Sequence, residues 1–257
     1  GIADYEYFYL LDKLGCTEEE FDINRLHTII PDKWKLMTKP MAMIILAGTL
    51  VTARAAAQDL EPRAFSPAPV GMNFALVGYG YEGIIYAAAN GADIINMSWG
   101  DSAPSQLRRD VMEYAQALGC LLVAAAGNES TTDLHYPSAL PGVVSVAAVT
   151  SADGLSYYSN RGISVDLLAP GDRLLSTVPS SGYGRSSGTS MASPVAAGVF
   201  ALLKSLHSSW SNDRLIRQVL GTADNVDDVN PQFLGLIGEG RVNAFRALTD
   251  QPSTSES

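Results

Sequence analysis

The sequence is poor in sulfur, charge and histidine, and each shortage removes a class of chemistry. Its 257 residues include two cysteines, Cys16 and Cys120, with no CxxC pair, so neither a disulfide framework nor a thiolate zinc site is indicated. Cys120 reads as a small apolar residue in a strand. Charged residues make up only 17%, and the 27 acidic against 17 basic give a formal net charge of -10. That balance repels phosphate backbones and argues against a nucleic-acid partner. Long hydrophobic runs are missing too. The longest, Met41 to Val51, falls short of the roughly 18 residues a membrane helix needs, so no transmembrane span is expected. What is plentiful is Ala, Val, Leu and Ile: 47% of the chain is hydrophobic, ample for a large core at this length.

From residue 82 onward, helix-like and strand-like segments alternate with short Gly, Asn and Pro punctuation, the pattern of a parallel α/β sheet covered on both sides. Glu82 to Ala89 reads as a helix and Asp93 to Trp99 as a strand. Leu107, Val111, Tyr114, Ala115 and Leu118 recur at helical spacing, with Gly119 just past the end. The continuous apolar runs Cys120 to Ala126 and Val143 to Val149 read as strands buried on both faces. Ser190 to Leu206 reads as a long helix of small and apolar residues, and a short helix surrounds Leu215 to Leu220. The tail 250–257 is polar and expected to be disordered.

Residues 1–81 differ. Within them, 33–57 combines basic residues, an apolar stretch and Ala-x-Ala sites, a signal-peptide pattern in mid-chain for which a buried helix is the plainer reading.

The stretch SSGTSMASPVAAG, 186–198, carries the chemistry. A serine hydroxyl attacks a carbonyl only with a base beside it, usually a histidine oriented by a carboxylate. Ser190 would sit at a helix N-terminus, where backbone N–H groups and the positive end of the helix favour a developing oxyanion. A serine alone would be read as an ordinary helix cap. However, Asn128, in AAAGNES at the end of an apolar run, could donate a second oxyanion hydrogen bond.

With NGADIINMSWG (90–100), AAAGN (124–128), YPSALPGVVSVAA (136–148), SNRGISVDLLAPG (159–171) and GEGRVNA (238–244), the chain resembles the subtilisin-like serine peptidases, the subtilase family, over about residues 82–248. The resemblance implies a three-layer parallel α/β sheet, subtilisin-like and incomplete on its N-terminal side. It makes Ser190 the nucleophile and Asn128 the oxyanion donor. It makes Ser98, Trp99 and Gly100 the strand that pairs with substrate backbone, and Ala126 with Gly127 a wall of the primary specificity pocket. An extended polypeptide is then the expected partner. A secreted or cell-envelope location is implied, and calcium is a common companion. Asp227 and Asp228 could supply ligands, but a solvated acidic loop is the plainer reading and no metal site or other cofactor is placed.

The resemblance stops at the base and the acid. The family's Asp strand and His-Gly-Thr helix are both missing, and the nearest echo, Ala42 to Thr49, has Ala42 where the histidine should stand. Of three histidines, His135 and His207 are expected on the surface. His27 with Asp12 is the remaining candidate pair. In that family removal of the base costs about 10⁶ in kcat, roughly 8 kcal/mol, leaving about 10³ to 10⁴ over water, a magnitude carried over from subtilisin itself. The expectation is therefore a peptidase domain that is inactive or incomplete, or a non-catalytic peptide-binding module.

Two further readings concern the N-terminal region. Gly78, Gly80 and Gly83 form GxGxxG with Asp101 downstream, a dinucleotide pattern. Residues 1–15 distantly resemble the end of a glycoside-hydrolase domain and 58–80 the mature start of certain outer-membrane proteins, which suggests a mosaic joined near residue 81. A degenerated subtilase is the alternative, in which Ala68-Pro69 and Asn73 to Val77 keep the place of the family's Ala-Pro turn and the strand after it.

Overall fold

The computed structural model describes residues 74–77, 81–178 and 182–250. The signal-like run, Asp12, His27 and most of the polar tail therefore lie outside the described residues. The described chain opens with β1 (Phe74–Val77), α1 (Tyr81–Ala89), β2 (Ile94–Met97), α2 (Gln106–Ala117), β3 (Leu121–Ala125), β4 (Val143–Val149) and β5 (Leu167–Pro170). There follow the pair β6 (Leu174–Val178) and β7 (Gly182–Ser186), then α3 (Thr189–Leu206), α4 (Asn212–Gly221) and α5 (Ala244–Thr249).

Strands β1 to β5 form one sheet in sequence order, and every neighbouring pair is parallel. Such a sheet must be covered on both faces, and the strand side chains divide accordingly. Leu121, Val123, Val144, Val146, Leu167 and Ala169 pack with Ala192, Ala196 and Phe200 of α3, while Ala147, Val149 and Leu168 pack with Val165, Val226 and Ile237. Small residues on α3 let it lie close along β2, β3, β4 and β5. By length and composition α3 could cross a membrane, but 56% of it is buried and it serves as the core helix.

Local chemistry sets the helix ends. Ser105 Oγ accepts from the Arg108 N–H at 3.4 Å to start α2, and Ser211 Oγ accepts from the Arg214 N–H at 3.3 Å to start α4. The helices expected from residue 82 onward and the strands β2, β3 and β4 are all present. Strand β2 is shorter than expected, because Ser98 to Gly100 leave the ladder and turn toward the helix that follows β7. Strand β5 and the antiparallel pair β6 and β7 add to what the sequence pattern suggested. Glycine-broken GYGRS lacks the alternation that marks a strand.

Cys120 is buried, donates to the Ala92 carbonyl at 3.0 Å, and has its thiol pushed up to about 11 by burial. It is an inert core residue.

Candidate active site

In an open parallel sheet, loops at the carboxyl ends of neighbouring strands form the natural crevice. Here Ser98–Gly100 follow β2, Ala126–Asn128 follow β3, and Gly188–Ser190 lead into α3. The structure thus brings together the residues that the sequence placed in one site.

The nucleophile turn is tied to β2 by a consequence of Pro194. A proline has no N–H, so at position 194 it leaves the carbonyl of residue 190, four positions back, without its helical donor. Ser98 Oγ donates to that carbonyl at 2.9 Å. Having spent its proton there, Ser98 Oγ accepts from Asn96 Nδ2 at 2.9 Å and pairs with Ser193 Oγ at 3.2 Å. Asn96 and Ser193 are both fully buried. In return, Ser190 Oγ donates to the Ser98 main-chain carbonyl at 3.0 Å.

The Asn128 side chain is held as firmly. The Thr189 N–H donates to Asn128 Oδ1 at 2.8 Å and the Thr189 hydroxyl donates to the same oxygen at 3.0 Å. The Thr189 hydroxyl in turn accepts from the Gly127 N–H at 3.2 Å. An N–H must meet an acceptor, so the amide oxygen faces Thr189 and Nδ2, the donor, faces away on an exposed side chain. Thr189 was visible in the sequence only as a small neighbour of the nucleophile. Its role needed Asn128 to be seen across 61 residues.

Gly127 adopts φ +103, a conformation side chains resist, and a Cβ there would stand 2.7 Å from Glu129 Oε2 and 2.8 Å from His135 Cδ2. The loop after it is held by Asn160, whose Oδ1 accepts from the Glu129 N–H at 2.9 Å and whose Nδ2 donates to the Ala126 carbonyl at 3.0 Å. Trp99 is buried with its ring edge-on to Tyr81 at 6.1 Å, so that side chain serves the core.

The histidines correct an expectation. His135 is 8% exposed rather than on the surface, enclosed near Gly100 and Gly127. Burial pulls its pKa below the ordinary value, against the smaller pull of Glu129, Asp101 and the Ala125 carbonyl. His207 is half-buried, stacked on Trp210 with ring centroids 3.8 Å apart. It closes the far end of α3, 17 residues beyond Ser190 and so about 25 Å away. Among the described residues, no imidazole hydrogen-bonds Ser190 Oγ.

The dinucleotide reading finds no footing. Gly78 and Gly80 lie outside the described residues, Gly83 is inside α1, and Asp101 is engaged by Arg108 through Nη2 at 2.9 Å. Burial works to raise the Asp101 carboxyl, but the Arg108 guanidinium and the Ala103 N–H hold it below its ordinary value. No group of three or more His, Cys, Asp or Glu side chains converges among the described residues, and the Asp227 carboxylate is taken up by Asn225 Nδ2 at 3.0 Å.

A parallel α/β domain with a serine in the first turn of a helix, next to a threonine that holds the exposed Asn128 side chain, has the build of a serine hydrolase. The Subtilase family (Peptidase S8) profile matches residues 74–240, and the chain belongs to that family. The match begins eight residues ahead of residue 82 and takes in β1, so all but Asn73 of the stretch Asn73 to Val77 in the degenerated-subtilase alternative falls inside the family portion. Alkaline elastase YaB of Bacillus sp. (strain YaB) is 39% identical over 166 residues, covering 65% of this chain and 43% of that protein. Halolysin-like extracellular serine protease Nep of Natrialba magadii is 41% identical over 175 residues, covering 68% of this chain and 32% of that protein. The chain spans less than half the length of these two relatives. Among solved structures, Patellamide maturation protease PatA is similar with a TM-score of 0.61 at 33% identity, covering 66% of each chain.

Proposed function

We propose that this subtilase-family protease domain grips an extended polypeptide along the main chain of Ser98 to Gly100, yet hydrolyses it at a negligible rate. In this reading Ser190 and Asn128 form the nucleophile and oxyanion half of a serine endopeptidase site. The base and its carboxylate have no counterpart among the described residues. One observation carries the reading: the Ser190 hydroxyl proton rests on the Ser98 carbonyl, which accepts a hydrogen bond but cannot take the proton away. Ala126 and Gly127 wall the pocket for the substrate side chain next to the attacked bond. An extended polypeptide is the partner this reading implies, and likeness to an extracellular relative favours a secreted location.

The test pairs binding with turnover. A fluorescently labelled unstructured peptide should bind wild type and Ser190→Ala alike by anisotropy, with no cleavage of it by either. Turnover that Ser190→Ala abolishes would overturn the reading. Turnover that His27→Ala or Asp12→Ala also abolishes would name that pair as the base and acid.

A further inference from the structure

We propose that Arg108 is a positioning residue for the peptide groove: its buried guanidinium holds the residues on either side of Gly100 so that their main chain is already in place when a polypeptide arrives. The inference rests on the groove reading above and adds to it the residue that sets the groove's shape.

Arg108 stands where a cation is poorly placed. It lies in the first turn of α2, near the positive end of the helix, and is 3% exposed. The helix dipole and burial both disfavour a positive charge there. Its neighbours Leu107 and Met112 are buried on the same helix, and an apolar side chain of similar volume would fill the space as they do. Exchanging buried charge for such packing is often neutral or stabilising. Packing alone therefore does not account for the arginine.

Its hydrogen bonds do. Nη1 donates to Asp101 Oδ1 at 3.1 Å and Nη2 to Asp101 Oδ2 at 2.9 Å, a bidentate grip that a planar guanidinium makes best. Nη1 also donates to the Ala103 carbonyl at 3.0 Å and the Tyr136 carbonyl at 3.3 Å, and Nε donates to the Tyr81 hydroxyl at 3.2 Å. Tyr136 is also the main-chain partner of Asp101: its N–H donates to the Asp101 carbonyl at 2.7 Å, and its carbonyl accepts from the Asp101 N–H at 2.9 Å.

Gly100 thus lies between two anchored residues. After it, Asp101 is fixed by side chain and main chain together. Before it, the Trp99 ring packs edge-on against Tyr81, whose hydroxyl Arg108 holds. A Cβ on Gly100 would collide with the Tyr136 carbonyl oxygen, so this segment already lies flush against the chain to which Arg108 ties it. A peptide pairing with 98–100 then meets a fixed edge and does not have to order it on binding.

The Asp101 side chain is 56% exposed, so loss of Arg108 lets that carboxylate turn to water and strands no buried charge. Arg108→Met should therefore fold. The test measures anisotropy of a fluorescently labelled unstructured peptide and amide hydrogen exchange, on variants shown to be folded by chemical denaturation. Arg108→Met should bind the peptide about tenfold more weakly, because the edge must now be ordered on binding. Its Asp101 and Tyr136 amides should exchange at least about tenfold faster, while those in the middle of α3 keep their protection. Arg108→Lys, which keeps the charge but not the fork, should fall between wild type and Arg108→Met in both readings. Asp101→Asn should also weaken binding, and adding it to Arg108→Met should weaken binding little further, since the two side chains act as one unit. Wild-type affinity in folded Arg108→Met, or affinity lost with those two amides still protected, would overturn the inference and leave the groove standing. Should Arg108→Met not fold, Arg108→Lys decides by the same two readings. Failure of wild type to bind the peptide would overturn the groove reading, and this inference with it.

Discussion

The two ends of α3 make an instructive pair. At its N-terminus stands Ser190, cross-bonded to β2 through Ser98 and flanked by a threonine that aims Asn128. At its C-terminus stands His207, flat against Trp210, which also lies under the Arg214 guanidinium at 4.1 Å. A serine in the first turn of one helix and the histidine that caps its other end thus stand about 25 Å apart. The difference teaches that residue types do not make a catalytic pair. The N-terminal end is a site because several chain segments converge on it, whereas the C-terminal end is a capped and stacked helix terminus.

Four substitutions or conditions break or sharpen that contrast. The largest effect is expected at the middle of the helix, where fully buried Phe200 serves both ends. Phe200→Ala should cost about 3–5 kcal/mol in chemical denaturation, with peptide binding and the Trp210 fluorescence signal lost in the same transition. Separate transitions would show that the two ends are not one cooperative unit.

Next comes Ser98→Ala, which strips the donor from the Ser190 carbonyl and should cost about 1–3 kcal/mol. In a Pro194→Ala background the restored N–H of residue 194 takes over that carbonyl, so the same change should cost much less. A double-mutant cycle reads the difference, and simple additivity would refute the link between the proline and Ser98.

The third is a pH dependence at the N-terminal end. Unfolded, His135 titrates near 6.5, and burial places its folded value lower. Between those values the unfolded chain binds a proton that the folded chain refuses. Stability is therefore fully present above about 6.5 and is lost as pH falls through the folded value, by at most about 1.4 kcal/mol per pH unit. His135→Gln should flatten that slope in denaturation curves taken from pH 7 to 5.

The smallest effect belongs to the C-terminal end. His207→Ala should cost about 0.5–1.5 kcal/mol through the lost stack and leave peptide affinity unchanged. A change in affinity would mean that the far end reaches the groove.

The same contrast explains what the sequence could disclose. Val143 to Val149 and the spacing of Leu107, Val111 and Ala115 announced their elements, because burial on a sheet or helix face is written in local periodicity. Ser190 and Asn128 were legible as motif residues. The partners that aim them were not, because Thr189 to Asn128 and Ser98 to Ser190 are contacts across 61 and 92 residues. The available clue was polar character in apolar surroundings, as at Asn96 within IINM and Ser193 within α3. His135 misled for a related reason. A lone histidine in a loop-like stretch reads as exposed, and only folding brings Gly100 and Gly127 around it.

The central claim concerns the proton on the Ser190 hydroxyl, and a fluorophosphonate probe followed by intact-mass analysis tests it most directly. With only a carbonyl among the described residues to receive that proton, Ser190 should remain unmodified after hours at neutral pH while the folded protein still binds peptide. Rapid, stoichiometric labelling that disappears in Ser190→Ala would show that a base does stand beside it, and would contradict the account.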